Sequence, residues 1–523
     1  MGKASRKKRD PGRVRREGIQ HSPLAQLSRQ GSVLQSPLMA MGKTTLVSWR
    51  DKHAPEMLWA FLLATAIPRA DYLDCFRRIA TWAAGTLNRD EASSGEPLHQ
   101  PAVIPDQTRL GEASSDELAA LAEIIAVHPS GLRALRPLLL FEDLPGRDQW
   151  RAILVGEPDN DDWNAVSTAA IGMMDHQSEV STDIRWLKLL TVILAGKMHY
   201  PETFREKIEE IFAFPNQGDM RSVRPFIRSG EMAIRRGTEQ PWVKAFWDHC
   251  FRATLCVDPT SAEQAAKGEI GAAPSISISA IINARLALAG LTHELATTTA
   301  IDARLEGASG LCLYGLALLT ELAYCKSESL ISGRLILRSL TEAFITLKYL
   351  SVKDNPDLWK SWRVYGNGQA KLAFLKAEEH ADDLPSFVNL DQLEALCNED
   401  VWMEFEPINV GHWDKSNLRE MSAAAGVKDV WEKYYQWPSA YVHGQWSATR
   451  DVNFITCHNP LHRLHRIPRI IHRQGDSVAA DAVSLTNQML ECFCSLTGVE
   501  SGAIPSVDLL AAASNEKGLD SSR

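Results

Sequence analysis

Three things are scarce in this chain of 523 residues: paired cysteines, long apolar runs and strand-like alternation. The nine cysteines include no Cys-x-x-Cys pair, and only Cys492 and Cys494 stand close together. That excludes a disulfide scaffold and a zinc cage of the paired-cysteine kind, and it predicts reduced, mostly buried thiols in the cytoplasm. The longest apolar run, "LWAFLLATAI", falls well short of the roughly 18–20 residues a membrane span needs, so no membrane partner is expected. The basic start "MGKASRKKRDPGRVRREG" has no apolar segment behind it and does not read as a secretory signal. β-Branched alternation is sparse, and no Asn-Gly turn joins two alternating runs, which excludes an all-β fold. The net charge of -9 argues against a protein that coats nucleic acid, although a local basic patch survives such averaging.

Apolar residues are present in ordinary proportion, 45% of the chain, and fifteen Trp supply large anchors for helix–helix packing. Five hundred residues exceed one hydrophobic core, so two domains are expected. Residues 1–45 read as a disordered basic arm, solvated or touching RNA or acidic lipid. Residues 46–257 repeat apolar positions every three to four residues, as in "DYLDCFRRIATWAAGTL" and "DELAALAEIIAVHP", and predict a helical domain. The breaker-rich "DPTSAEQAAKGEIGAAPS" reads as a linker over 258–275. Residues 276–500 predict a second helical domain, an antiparallel bundle of long helices, followed by a flexible tail over 501–523. The fold class is therefore all-α. In "ESLISGRLILRSLTEAFITLKYL", Leu337, Leu340, Phe344 and Leu347 form an apolar seam beside a stripe of Arg334, Arg338 and Glu342.

"RSLTEAFITLKYL", "YVHGQW" and "NPLHRLHRIP" together resemble an uncharacterised bacterial family of large helical proteins, a domain of unknown function, and "WRDKHAPEMLWAFLL" resembles its longer members. The resemblance covers most of residues 45–500. The Arg/Glu pair on a long helix and the late helical His are also similar, more distantly, to the HEPN group, many of whose members are metal-independent RNases. That likeness implies an RNA- or phosphate-ligand-binding module in stress or phage defence. The HEPN pattern of Arg and a following His fits Arg466 and His472 in spacing, but Pro468 interrupts the helix that should carry both.

Metal-free RNA cleavage needs a base for the 2′-hydroxyl and cations for the phosphate. Within "YVHGQWSATR", His443 suits the base and Arg450 a phosphate clamp, with Arg338 as a second clamp and Glu342 orienting the imidazole. Arg338 and Glu342 equally suit a surface pair on one helix, and His443 a packed core residue.

The stretch from 441 to 473 also holds five His and five Arg against a single acid, Asp451. "NPLHRLHRIP" reads as a short helix capped by Asn459, started by Pro460 and ended by Pro468. Leu461, Leu464 and Ile467 would share one face, with His462, Arg463, His465 and Arg466 on the other. Two His three residues apart suit zinc or iron, with Cys457 or His458 adding a ligand. Arg463 and Arg466 would repel a dication and no acid stands nearby, so no metal and no other cofactor is expected. An anion fits better: His462, Arg463, His465, Arg466 and Trp446 would bind RNA or a phosphorylated ligand. "MGKTT" at 41–45 lacks the first glycine of a phosphate loop, and Gly366 and Gly368 lie inside a helical pattern. The competing expectation is a non-enzymatic helical adaptor, contacting a partner protein or forming a homo-oligomer through helical faces.

Overall fold

The three-to-four-residue apolar rhythm becomes a succession of helices in the computed structural model, which describes residues 27–35, 48–88, 103–234, 240–259, 275–398, 408–470 and 473–510. Among the described residues, strands are limited to three short antiparallel pairs. The chain divides into one unit of residues 1–257 with 458–464 and another of 258–457 with 465–523.

The first unit starts with a hairpin, β1 (Ser28–Gln30) and β2 (Val33–Gln35), inside the arm expected to be structureless. Gly31, at φ +60°, supplies the backbone that a two-residue hairpin turn needs. The "MGKTT" stretch at 41–45 lies outside the described residues. The main helices are α1 (Leu58–Ala66), α2 (Arg69–Thr86), α3 (Ser115–Ala126), α4 (Asn160–Met174), α5 (Glu179–Leu194), α6 (Arg205–Ala213), α7 (Met220–Ala233) and α8 (Pro241–Ala253). Helix α5 is buried on all sides between Ser181 and Val192, charged residues included. Its Asp183 is fully enclosed and accepts two bonds from Arg69, both 2.9 Å, and one from the Tyr72 hydroxyl at 2.6 Å. Its Lys188 lies 3.1 Å from the equally buried Glu231 of α7. Pairing of this kind is what makes interior charge tolerable.

The second unit opens with β3 (Ser275–Ile276), followed by α9 (Ile278–Leu295), α10 (Ala303–Tyr324), α11 (Ile331–Lys353) and α12 (Pro356–Glu378). Shorter helices come next: α13 (Leu390–Cys397), α14 (Leu418–Ala424), α15 (Lys428–Tyr434), α16 (Gln436–Val442) and α17 (Trp446–Asn453). The hairpin of β4 (Phe454–Thr456) and β5 (Arg466–Pro468) and the long α18 (Ala479–Thr497) complete it, with β6 (Leu509–Leu510) paired to β3. Helices α10, α11 and α18 pack on one another as the bundle's centre. The Leu337, Leu340, Phe344 and Leu347 seam is buried there. Gly366 and Gly368 lie within α12.

Residues 501–510, expected to be a flexible tail, instead dock. Val507 is buried, and the Asn487 side chain both donates to its carbonyl and accepts its N–H. Residues 260–274 and 511–523 lie outside the described residues. Among the described helices, Ala303–Tyr324 is long and apolar enough to cross a membrane, and half of that stretch is buried inside the bundle.

Candidate functional site

Helix α11 carries Arg334, Arg338 and Glu342 at four-residue steps, so all three project along one side. Each is already engaged. The Arg334 guanidinium donates to the carbonyls of Glu328, Leu330 and Asp476. Arg338 donates through Nε to Ser439 Oγ at 2.9 Å, pairs with Glu342, and stands 3.4 Å over the Tyr435 ring. The Ser439 hydroxyl in turn donates a hydrogen bond to the Tyr435 carbonyl. Burial pushes the Tyr435 phenol up from its ordinary value of 10, and the Glu342 carboxylate pushes in the same direction.

This register decides what His443 can meet. Tyr435, Ser439 and His443 follow at four-residue steps, and their backbone bonds are helical. Glu342 and Arg338 meet Tyr435, and Arg338 meets Ser439, so the two helical stretches run in opposite directions. Glu342 is therefore level with Tyr435, eight residues or about 12 Å along the helix from His443. Among the described residues, no hydrogen bond joins His443 to Glu342 or Arg338. The structure brings Arg338, Glu342, Tyr435 and Ser439 together as a brace and leaves His443 outside it.

His443 occupies the end of α16, where a glycine turn releases the chain. Gln445 N–H donates to the Ala440 carbonyl at 2.9 Å and Gly444 N–H to Tyr441 at 3.4 Å, with Gly444 at φ +56°. These two bonds and the left-handed glycine make a Schellman cap. The His443 imidazole is exposed there, with no side-chain bond among the described residues. Helix α17 starts immediately beyond the turn. Its Trp446 is 62% exposed, its ring tilted against that of Phe454 with centroids 5.8 Å apart, and its Arg450 guanidinium is exposed and unpaired among the described residues. Trp437, 53% exposed, stands on α16. Sequence reasoning missed Trp437, whose signal was an aromatic placed between polar neighbours in "YYQWPS".

"NPLHRLHRIP" departs from the expected helix. Asn459 caps it as expected, accepting from Leu461 N–H at 2.9 Å, but the helix is a single 3-10 turn, Pro460–His462. Arg463 and Leu464 then adopt φ of 50° and 63°, which ends helical propagation and turns the chain into β5. The expected faces dissolve accordingly. Leu461 and His462 are both buried, whereas Leu464 is exposed. Arg463 stacks over the Trp247 ring at 5.1 Å, and Arg466 donates to Thr456 Oγ1. Of the five residues expected to hold an anion, Trp446 is exposed, its ring beside Phe454, whereas buried His462 is held by Thr254. Arg466 stands on a strand, and His472, its partner in the HEPN-like spacing, lies outside the described residues.

Cys457 N–H donates to the His465 carbonyl at 2.9 Å, which closes the base of the β4–β5 connection.

Fold and sites define an all-helical protein whose second unit is a long-helix bundle with an exposed His, Arg and Trp surface at its α16–α17 turn. Residues 322–460 match the model of a family described as a family of unknown function (DUF5677), a stretch containing Arg338, Glu342, His443 and Arg450. No curated protein and no solved structure matches the chain.

Proposed function

We propose that the second unit binds RNA at the α16–α17 turn and cleaves it without a metal, with His443 as the base. The supporting observation is the exposed, unbonded His443 imidazole beside a glycine turn whose far side presents Trp446 and the unpaired Arg450. A single strand offers bases to stack on Trp446 and Trp437 and phosphates to Arg450, while its 2′-hydroxyl is the proton donor to His443. Arg338 and Glu342 take a different role from phosphate clamp and imidazole orienter: they hold α16 in place through Ser439 and Tyr435. The nine cysteines, none in a disulfide, fit an intracellular setting.

The test uses fluorescently labelled single-stranded RNA in EDTA, with binding read by anisotropy and cleavage by gel. Trp446→Ala and Arg450→Ala should weaken binding, and His443→Ala should abolish cleavage while binding persists. Absence of binding by the wild-type protein at low salt refutes the proposal and leaves the helical adaptor. Binding with equal cleavage by His443→Ala refutes the base assignment alone.

A further inference from the structure

We propose that the seam between α5 and α7, both in the first unit, binds a phosphate group between the guanidiniums of Arg185 and Arg228. The two helices meet there in matched steps along parallel directions. Arg224 of α7 lies 2.8 Å from Glu179 of α5, Arg228 donates to Thr182 Oγ1 at 3.2 Å, and Glu231 stands beside Arg185 and Lys188. Thr182 and Arg185 are three residues apart on α5, as Arg228 and Glu231 are on α7, so both guanidiniums belong to one seam.

Arg185 departs from the rule that interior charge is paired and bonded. Its side chain is 3% exposed, yet its guanidinium makes no hydrogen bond among the described residues, and its Nε is fully enclosed. Glu231 lies 3.8 Å from that nitrogen, beyond hydrogen-bond reach, and is closer to Lys188 at 3.1 Å. The Trp49 ring lies 4.2 Å from the guanidinium carbon. Stacking of this kind occupies the flat face and leaves the N–H edge, the part that grips an oxyanion through paired bonds. Arg228 is half-buried, and no carboxylate pairs with it among the described residues. Its partner Thr182 is a neutral hydroxyl, whose own proton goes to the Ser178 carbonyl at 2.8 Å.

Electrostatics point the same way. Burial, with Arg228 beside it, pushes the Arg185 guanidinium down to about 10. Burial and the neighbouring Arg224 push Arg228 down as well, against the pull of Asp175. Asp183 on the same α5 shows the contrasting arrangement: Arg69 makes two bonds of 2.9 Å to it and is held above its ordinary value. A phosphate suits the Arg185 and Arg228 pair because its oxygens accept the parallel N–H bonds of a guanidinium edge, and its two negative charges balance two cations. Arg228, the less buried of the two, marks the side from which the ligand enters.

The test titrates the full chain calorimetrically in chloride buffer at fixed ionic strength, with inorganic phosphate in one arm and adenosine monophosphate in the other. Wild type should bind, and phosphate should raise its Tm above that in chloride alone. Arg228→Gln removes the half-buried cation with little risk to the core and should weaken binding by at least about tenfold. Arg185→Gln should do the same, whereas Arg78→Gln, an exposed cation of α2 beside Asp74, should change nothing. Binding of inorganic phosphate alone assigns the free ion to the site, and tighter binding of adenosine monophosphate assigns a phosphomonoester. No heat in either arm, together with no rise in Tm, overturns the proposal. So does binding that Arg228→Gln leaves unchanged while circular dichroism shows a folded chain. None of these readouts depends on RNA.

Discussion

Replacing Arg338 by Ala separates a brace from a phosphate clamp, because the two roles predict effects in different assays. Arg338 is mostly buried, its side chain 11% exposed, and it makes three kinds of contact. The Nε bond to Ser439 involves a charged donor and is worth about 1.5–3 kcal/mol. Its position 3.4 Å over Tyr435 adds about 0.5–2 kcal/mol. The Glu342 pair, half exposed at the carboxylate and spaced i,i+4, adds only about 0.3–0.5 kcal/mol. These contacts share one guanidinium and are not additive, so a net loss of about 2–3 kcal/mol is expected.

Urea unfolding followed by circular dichroism reads that loss. A double-mutant cycle of Arg338→Ala with Ser439→Ala isolates the Nε bond, with an expected coupling of about 1.5–3 kcal/mol. RNA binding at several salt concentrations reads the alternative. Each phosphate contact to a single strand contributes about 0.7 to the slope of log K against log salt. Arg338→Ala should leave that slope unchanged, and Arg450→Ala should reduce it by about 0.7. The reasoning fails if Arg338→Ala takes that much from the slope, or if the Ser439 coupling is below about 0.3 kcal/mol.

Two further substitutions probe the scaffold. Gly444→Ala meets no atom within 4 Å of the added Cβ but must keep φ near +56°, so a cost of about 1–2 kcal/mol is expected in urea unfolding. Because the same turn releases His443, RNA cleavage should fall more than RNA binding, and equal losses would count against His443 as the base. The Arg304 guanidinium beside Asp354 holds its carboxyl below the ordinary 3.8. A depressed carboxyl stabilises the fold above its unfolded value and loses that contribution as pH falls through the folded value. Wild type and Asp354→Asn should therefore differ in unfolding free energy above about pH 4 and converge at lower pH. A constant difference across that range would mean that Arg304 does not set the titration.

The bundle was legible because its information is local. Helix α11 shows its buried seam and its Arg/Glu stripe in one 23-residue segment. The site was legible only in part, since spacing along one helix says which residues share a face but not which face of another helix meets them. The sequence leaves Arg338 and Glu342 either facing His443 or paired on one helix; they pair, and the opposed register gives them Tyr435 and Ser439 as further neighbours. The disagreement over 459–468 has a different cause. Caps report where a helix begins, but this one ended after a single turn on two non-glycine residues with positive φ, which no composition rule anticipates.

Charge in the same region is legible only in part, for a related reason. Counting Arg463 and Arg466 against a metal treats each guanidinium as if it stood at its own Cα, although six or more ångströms of side chain lie between. Trp247 and Thr456 claim those guanidiniums. It follows that the histidines of 441–473 divide by their bonds: His462 is buried against Thr254, whereas His443 is exposed, with no side-chain bond among the described residues.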